Sequence, residues 1–115
     1  VLGCPTGRRS DRWIDWDLYG HQLVTRLVGA REGAADTNPV DGQDVPVPHF
    51  GLLLEVDAFH AVAERLRSGG VPFVIEPYLR FEGLPGEQWT LFVRDPAGNA
   101  IELKAFADDG DVFRT

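Results

Sequence analysis

Basic side chains are scarce in this sequence. Lys and Arg number 11 against 18 Asp and Glu, a formal net charge of −7. A nucleic-acid surface needs Lys and Arg gathered on one face to neutralise phosphates. The single concentrated run, Arg8, Arg9 and Arg12, reads as a solvated strand end. Cysteine is limited to Cys4, which excludes an intramolecular disulfide. A lone thiol suits a reducing cytosol, and no paired His or helix start beside Cys4 marks it as a nucleophile. Long apolar runs are missing too, for nothing approaches the ~20 residues of a membrane span, and no signal-peptide pattern opens the chain. The expected protein is cytoplasmic, with neither nucleic acid nor membrane as a partner.

What is present fits one small domain. The 115 residues are 43% hydrophobic, ordinary for a globular chain able to bury a modest core. Arg12 to Leu18 alternates, with Trp13, Asp15 and Asp17 on one face and Ile14, Trp16 and Leu18 on the other, which is strand periodicity. Tyr19-Gly20 is a turn, and His21 to Val28 the returning strand. From 29 to 48, Gly29, Gly33, Asn38, Pro39, Gly42, Pro46 and Pro48 interrupt any regular element, so a long loop or linker is expected there. His49 to Val56 reads as a buried strand. Asp57 is a candidate N-cap, Phe59, Val62, Ala63 and Leu66 recur at helical spacing, and Gly69-Gly70 close the helix. Strands follow over Phe73–Phe81, Gln88–Arg94 and Ala100–Phe106, the last two joined by the turn signature Asp95-Pro96-Ala97-Gly98-Asn99. Residues 108–115 read as a frayed polar tail.

The second half is therefore β-α-β-β-β. Overlaying Asp17-Leu18-Tyr19-Gly20 on Asp95-Pro96-Ala97-Gly98 shows a repeat, with Val24 where Glu102 falls and Arg26 where Lys104 falls. On this overlay the first copy lacks an opening strand and helix. Val1-Leu2-Gly3-Cys4-Pro5, which reads like a helix end closed by Gly3, leads to the expectation that the natural protein begins earlier.

The run Pro48-His49-Phe50-Gly51-Leu52-Leu53-Leu54-Glu55-Val56 before a helix, and Leu91-Phe92-Val93-Arg94-Asp95-Pro96-Ala97-Gly98-Asn99-Ala100-Ile101-Glu102-Leu103-Lys104-Ala105-Phe106 near the end, resemble the second module of a vicinal-oxygen-chelate domain. This is the superfamily of glyoxalases, bleomycin resistance proteins and extradiol dioxygenases. The resemblance is good over 49–106 and extends less specifically over 1–28. It implies an α+β fold in which paired β-α-β-β-β modules form a cupped mixed sheet, here with residues 1–28 as the rest of a first module, 29–48 as linker, 49–107 as the second module and 108–115 as tail. It also implies a divalent metal in the cup. Carried over by position, His49 on the opening strand and Glu102 on the closing strand are its ligands. Imidazole and carboxylate suit Fe(II), Mn(II), Ni(II) or Zn(II), and two His with one carboxylate is the ferrous oxygenase arrangement. Fe(II) is favoured, because the glyoxalase-type ligand position falls on Val24, which cannot bind metal. The remaining His is expected upstream of Val1.

Each residue has a plainer reading. His49 can be a structural strand-start His, and Glu102 an exposed strand carboxylate. If Glu102 faces the cup, its burial demands a partner, either a metal or Lys104. His21 falls on the face opposite Val24 and His60 on the helix surface, so neither is taken as a ligand. Gln22, Arg26, Tyr78, Arg80 and Gln88 are candidates to line the cup, or else ordinary polar sheet surface. Trp13, Trp16 and Trp89 are assigned to core or interface. The functional expectation is a metal-dependent enzyme with dioxygenase-type chemistry, or glyoxalase-like lyase or isomerase chemistry, on a small substrate with vicinal oxygens. Arg26 or Arg80 would stabilise an oxyanion, and Tyr78 would serve as an acid–base group. The rival is a metal-free protein of the same fold that sequesters a drug. A homodimer is expected in either case.

Overall fold

A computed structural model describes residues 2–27, 29 and 36–112. The chain forms two compact units, Val1–Ala34 and Ala35–Thr115. The first is an antiparallel sheet in the order β1-β2-β3, built from β1 (Thr6–Arg9), β2 (Trp13–Leu18) and β3 (His21–Arg26). The alternation in β2 produces the expected hairpin, with Leu18 opposite His21 and Trp13 opposite Arg26. The turn closes because Tyr19 and Gly20 both take positive φ, 54° and 86°, and Asp17 Oδ1 accepts the Gly20 N–H at 2.7 Å. Residues 2–5, read from sequence as a helix end, are irregular.

The second unit opens with a hairpin of β4 (Asp36–Val40) and β5 (Gln43–Val47). This corrects the expectation of a loop across 29–48, although Val28 and residues 30–35 lie outside the described residues. The physical reason is the Asp41-Gly42 turn, whose φ values of 51° and 75° are those of a tight primed hairpin turn. Its register pairs Pro39 with Asp44 and Pro46 with Thr37. Counted from a two-residue turn, both prolines fall at positions that donate no ladder hydrogen bond, so neither breaks the ribbon.

The larger sheet has the order β6-β9-β8-β7, with β6 (His49–Leu53) parallel to β9 (Ala100–Phe106). β7 (Phe73–Arg80), β8 (Gln88–Arg94) and β9 run as an antiparallel meander. Between β6 and β7 lies α1 (Val56–Ser68), giving the β-α-β-β-β order read from the sequence. The fold is α+β, and among the described residues it is mostly strand with one α-helix and sheets that do not close. The helix begins one residue before the expected cap. Glu55 is its N-cap and makes no side-chain capping bond, while Asp57 sits in the first turn, where a carboxylate favours the helix dipole. Strand β6 stops at Leu53, short of Val56. At the other end Gly69 caps the helix and Gly70 takes φ 69°.

The helical stripe Phe59, Val62, Ala63 and Leu66 is buried, as are Leu91, Leu103 and Ala105 at alternate strand positions. These form the core on one face of the sheet. Trp89 joins this side, with its ring 6.3 Å from Phe59 and 4.8 Å from His60. The tail is held rather than frayed through residue 112. Asp108 accepts the Gly110 N–H at 2.8 Å, and Asp111 accepts the Gly86 N–H at 2.6 Å. Helix face and sheet face meet at Leu103, which is fully buried. Leu103→Ala is expected to destabilise the second unit by about 2–5 kcal/mol, while Leu84→Ala, at a 62% exposed position, should change stability by less than about 0.5 kcal/mol. Urea unfolding of the two variants checks the contrast.

Candidate functional site

The sheet face away from the helix carries the polar side chains. Strand alternation and register put them in rows. Glu102 lies opposite Phe92, Lys104 opposite Thr90, Thr90 opposite Tyr78, and Gln88 opposite Arg80. The parallel pairing of β6 with β9 sets His49 beside Ala100 and Gly51 beside Glu102.

Gly51 is what allows this approach. A Cβ there would meet the Glu102 carbonyl oxygen at 3.0 Å and the Glu102 Cβ at 3.2 Å. With no side chain between them, His49 Nε2 comes to 3.7 Å of Glu102 Oε2. The other ring nitrogen, His49 Nδ1, is 2.7 Å from the Pro46 carbonyl oxygen. An oxygen acceptor there requires the proton on Nδ1, so that in the neutral ring the Nε2 lone pair is on the Glu102 side; this is the usual way a carbonyl orients a ligating His. The Phe92 ring, its centroid 5.1 Å from that of the imidazole and nearly perpendicular to it, packs against the histidine.

Glu102 is held by two further groups. Thr90 donates its hydroxyl to Oε1 at 2.8 Å, and Lys104 Nζ lies 3.2 Å from the same oxygen. The carboxylate side chain is only 14% exposed, so these contacts offset the cost of its burial. Oε1 is thus occupied, and Oε2 faces the histidine. Two bonds of ~2.0–2.2 Å span separations up to roughly 4 Å, so one divalent ion fits between Nε2 and Oε2 at their present distance. The Lys104 ammonium is the counter-argument, since it already neutralises the carboxylate. Among the described residues, no group of three or more His, Cys, Asp or Glu side chains is placed to hold an ion.

Tyr78 and Arg80 stand next along β7. Tyr78 Oη makes a long 3.5 Å contact with Asp41 Oδ2, and Arg80 Nε forms an ion pair with the same carboxylate oxygen. Asp41 comes from the hairpin turn that the sequence reading passed over; the Asp-Gly pair was its only signal. Burial raises the Tyr78 pKa above 10.0, the Asp41 and Glu102 carboxylates push it the same way, and Arg80 opposes them. Its hydroxyl is therefore a donor across the physiological range. Thr90 was also missed, since a strand Thr carries no mark in sequence of facing a carboxylate.

Arg26 and Gln22 belong to the first unit, where both are exposed in β3. His21, also exposed, begins the same strand. His60 is on α1 against Trp89. Cys4 is a free, partly exposed thiol. No described helix is long and apolar enough to cross a membrane.

A β-α-β-β-β unit with a helix on one sheet face and convergent polar groups on the other defines a module of the vicinal-oxygen-chelate type. The chain belongs to the Glyoxalase/Bleomycin resistance protein/Dioxygenase superfamily, whose profile matches residues 14–103. Among solved structures it is similar to a glyoxalase/bleomycin resistance protein/dioxygenase from Alicyclobacillus acidocaldarius, with 31% identity and a TM-score of 0.77 over 97% of this chain and 80% of that one. The fosfomycin resistance protein FosX of Listeria monocytogenes shares the fold at 12% identity, with a TM-score of 0.67 over 96% of this chain and 78% of that one. A lactoylglutathione lyase from Agrobacterium tumefaciens does so at 14% identity, with a TM-score of 0.60 over 98% and 80% of the two chains. No curated protein sequence matches the chain.

The raised Tyr78 pKa has a consequence for stability. The folded chain keeps this phenol protonated to a higher pH than the unfolded chain does, so the contribution is present below pH 10.0 and is lost as pH rises through the folded value. Alkaline titration followed by phenolate absorbance should place Tyr78 above 10.0. In Tyr78→Phe that absorbance change should vanish, together with the matching part of the alkaline loss of stability.

Proposed function

We propose that the chain is a metal-dependent enzyme acting on a small molecule with vicinal oxygens, with His49 and Glu102 as two of the ligands of a divalent ion. The observation that carries this reading is the 3.7 Å approach of His49 Nε2 to Glu102 Oε2, with the opposite nitrogen of the ring tied to Pro46. A bound ion would polarise the substrate oxygens as a Lewis acid and, if ferrous, support dioxygenase-type chemistry. The protein's own groups do the rest. Thr90 fixes the rotamer of Glu102, and Phe92 limits movement of the imidazole. Tyr78 supplies a hydroxyl proton to an oxygen on which negative charge develops, and Arg80 supplies a fixed positive charge beside it. Proteins named as a fosfomycin resistance protein and a lactoylglutathione lyase share the fold, which is in keeping with a small-molecule substrate. The lone cysteine fits a cytosolic setting.

His49→Ala and Glu102→Ala should each abolish stoichiometric binding of Fe(II), Mn(II), Ni(II) or Zn(II) in anaerobic calorimetry, with the circular dichroism spectrum retained. Equal binding by the two variants and the parent would sink the assignment. One observation favours a second reading, a metal-free binding protein. Thr90 and Lys104 already satisfy Glu102 Oε1, so the carboxylate is stable without an ion. A parent protein that binds none of these metals selects that reading.

The assembly we propose is a homodimer. Within the second unit β6 is an edge strand, and it exposes Phe50 at 37% and Leu53 at 54%. An unpaired edge with apolar side chains invites a second chain. Light scattering at micromolar concentration should return twice the chain mass of 12.7 kDa, and Leu53→Lys should shift the population to monomer.

A further inference from the structure

Arg80 and Tyr78 converge on a carboxylate that belongs to the protein itself. Asp41 is at the tip of the β4–β5 hairpin, and its Oδ2 meets both side chains. The contact is close in charge but poor in direction. Arg80 Nε is buried, and its N–H has no hydrogen-bond partner although the Asp41 oxygen is its ion-pair neighbour. Tyr78 reaches the same oxygen only at 3.5 Å. A guanidinium binds a carboxylate best through parallel N–H···O bonds, and the hairpin turn does not present Asp41 that way. The Arg80 side chain is also fixed from the other side, its guanidinium carbon lying 4.9 Å above the Phe81 ring.

Directly opposite Arg80 on β8 is Gln88. It is 7% exposed and donates through Nε2 to the Gly86 carbonyl at 3.1 Å. Its Oε1 is buried with no partner. A cation whose carboxylate partner is poorly directed is thus the cross-strand neighbour of a residue whose acceptor oxygen lacks a donor. Buried groups of this kind cost stability unless something satisfies them. One small molecule does both if it carries a carboxylate next to a hydroxyl.

We infer that Arg80, Tyr78 and Gln88 form a seat for the carboxylate and adjacent hydroxyl of a small 2-hydroxy acid, and that Asp41 fills this seat until such a ligand displaces it. The inference deepens the reading of this sheet face as a small-molecule site. It needs no metal. Asp41 acts as an internal competitor, which lowers the apparent affinity by the fraction of molecules in which the seat is open. Displacement requires only the hairpin tip to move, and Asp41 is 44% exposed there.

The test is calorimetric titration of chelator-treated protein with lactate. Asp41→Asn removes the competing charge, and Asn is at ease at the positive φ of this turn. It should bind lactate at least ~5-fold more tightly than the parent. Asp44→Asn removes an equal charge from the same hairpin and should leave the affinity unchanged. Arg80→Gln in the Asp41→Asn background should abolish binding, and Gln88→Met should weaken lactate while leaving propionate, which lacks the hydroxyl, unaffected. No gain in Asp41→Asn, an equal gain in Asp44→Asn, or survival of binding in Arg80→Gln with a native circular dichroism spectrum overturns the proposal. Because the protein is metal-free throughout, a negative result for the ion at His49 and Glu102 leaves this test intact. A negative result here leaves that assignment intact as well.

Discussion

The parallel pairing of β6 with β9 is the constraint on which the second unit depends. These strands are separated in sequence by a helix and two other strands, yet their register puts His49 beside Ala100 and Gly51 beside Glu102. Parallel neighbours cannot be joined by a tight turn, so the crossover must be long. Here α1, β7 and β8 make the connection, and α1 at the same time covers the sheet with Phe59, Val62, Ala63 and Leu66. The core on one face and the polar cluster on the other therefore rest on the same strand pairing. A one-residue slip in β9 would send Glu102 into the core and Leu103 to the polar face.

Close approach at that pairing gives the cluster its character. The missing side chain at Gly51 lets imidazole and carboxylate come within 3.7 Å. Around them the strands supply groups by register alone, Thr90 and Lys104 on one carboxylate oxygen and Phe92 against the ring. The hairpin before β6 contributes from both ends. Its last residues bring the Pro46 carbonyl to His49, and its tip brings Asp41 to Tyr78 and Arg80. A segment interrupted by Asn38, Pro39, Gly42 and Pro46 is in this way tied to both sides of the sheet's polar face.

Legibility from sequence followed the strength of local signals. Strand β9 and the Asp95–Asn99 turn were readable because Asp95 satisfies its own turn, Oδ1 accepting from Ala97 N and Asn99 N. The helix was readable from the spacing of its apolar residues, though its start was displaced because Glu55, not Asp57, occupies the cap. The β4–β5 hairpin was not read. Prolines at 39 and 46 argue against strands unless the register is known, and that register hangs on two residues with positive φ. The pairing of His49 with Glu102 came through resemblance to a family motif. Nothing in the spacing of those two residues alone would have joined them.

By itself the sequence determined the β-α-β-β-β order from His49 onward, the apolar face of the helix and the turns at Tyr19-Gly20 and Asp95–Asn99, because each follows from contacts between residues near in the chain. Tertiary structure alone decided which polar side chains share a face and what holds them: Thr90 and Lys104 on Glu102, Pro46 on His49, and Asp41 on Arg80. Those contacts join residues from different strands, and strand register across a sheet is set by packing of the whole face rather than by any single segment. A local pattern can say that a strand alternates, but only the assembled sheet says what each alternating side chain meets.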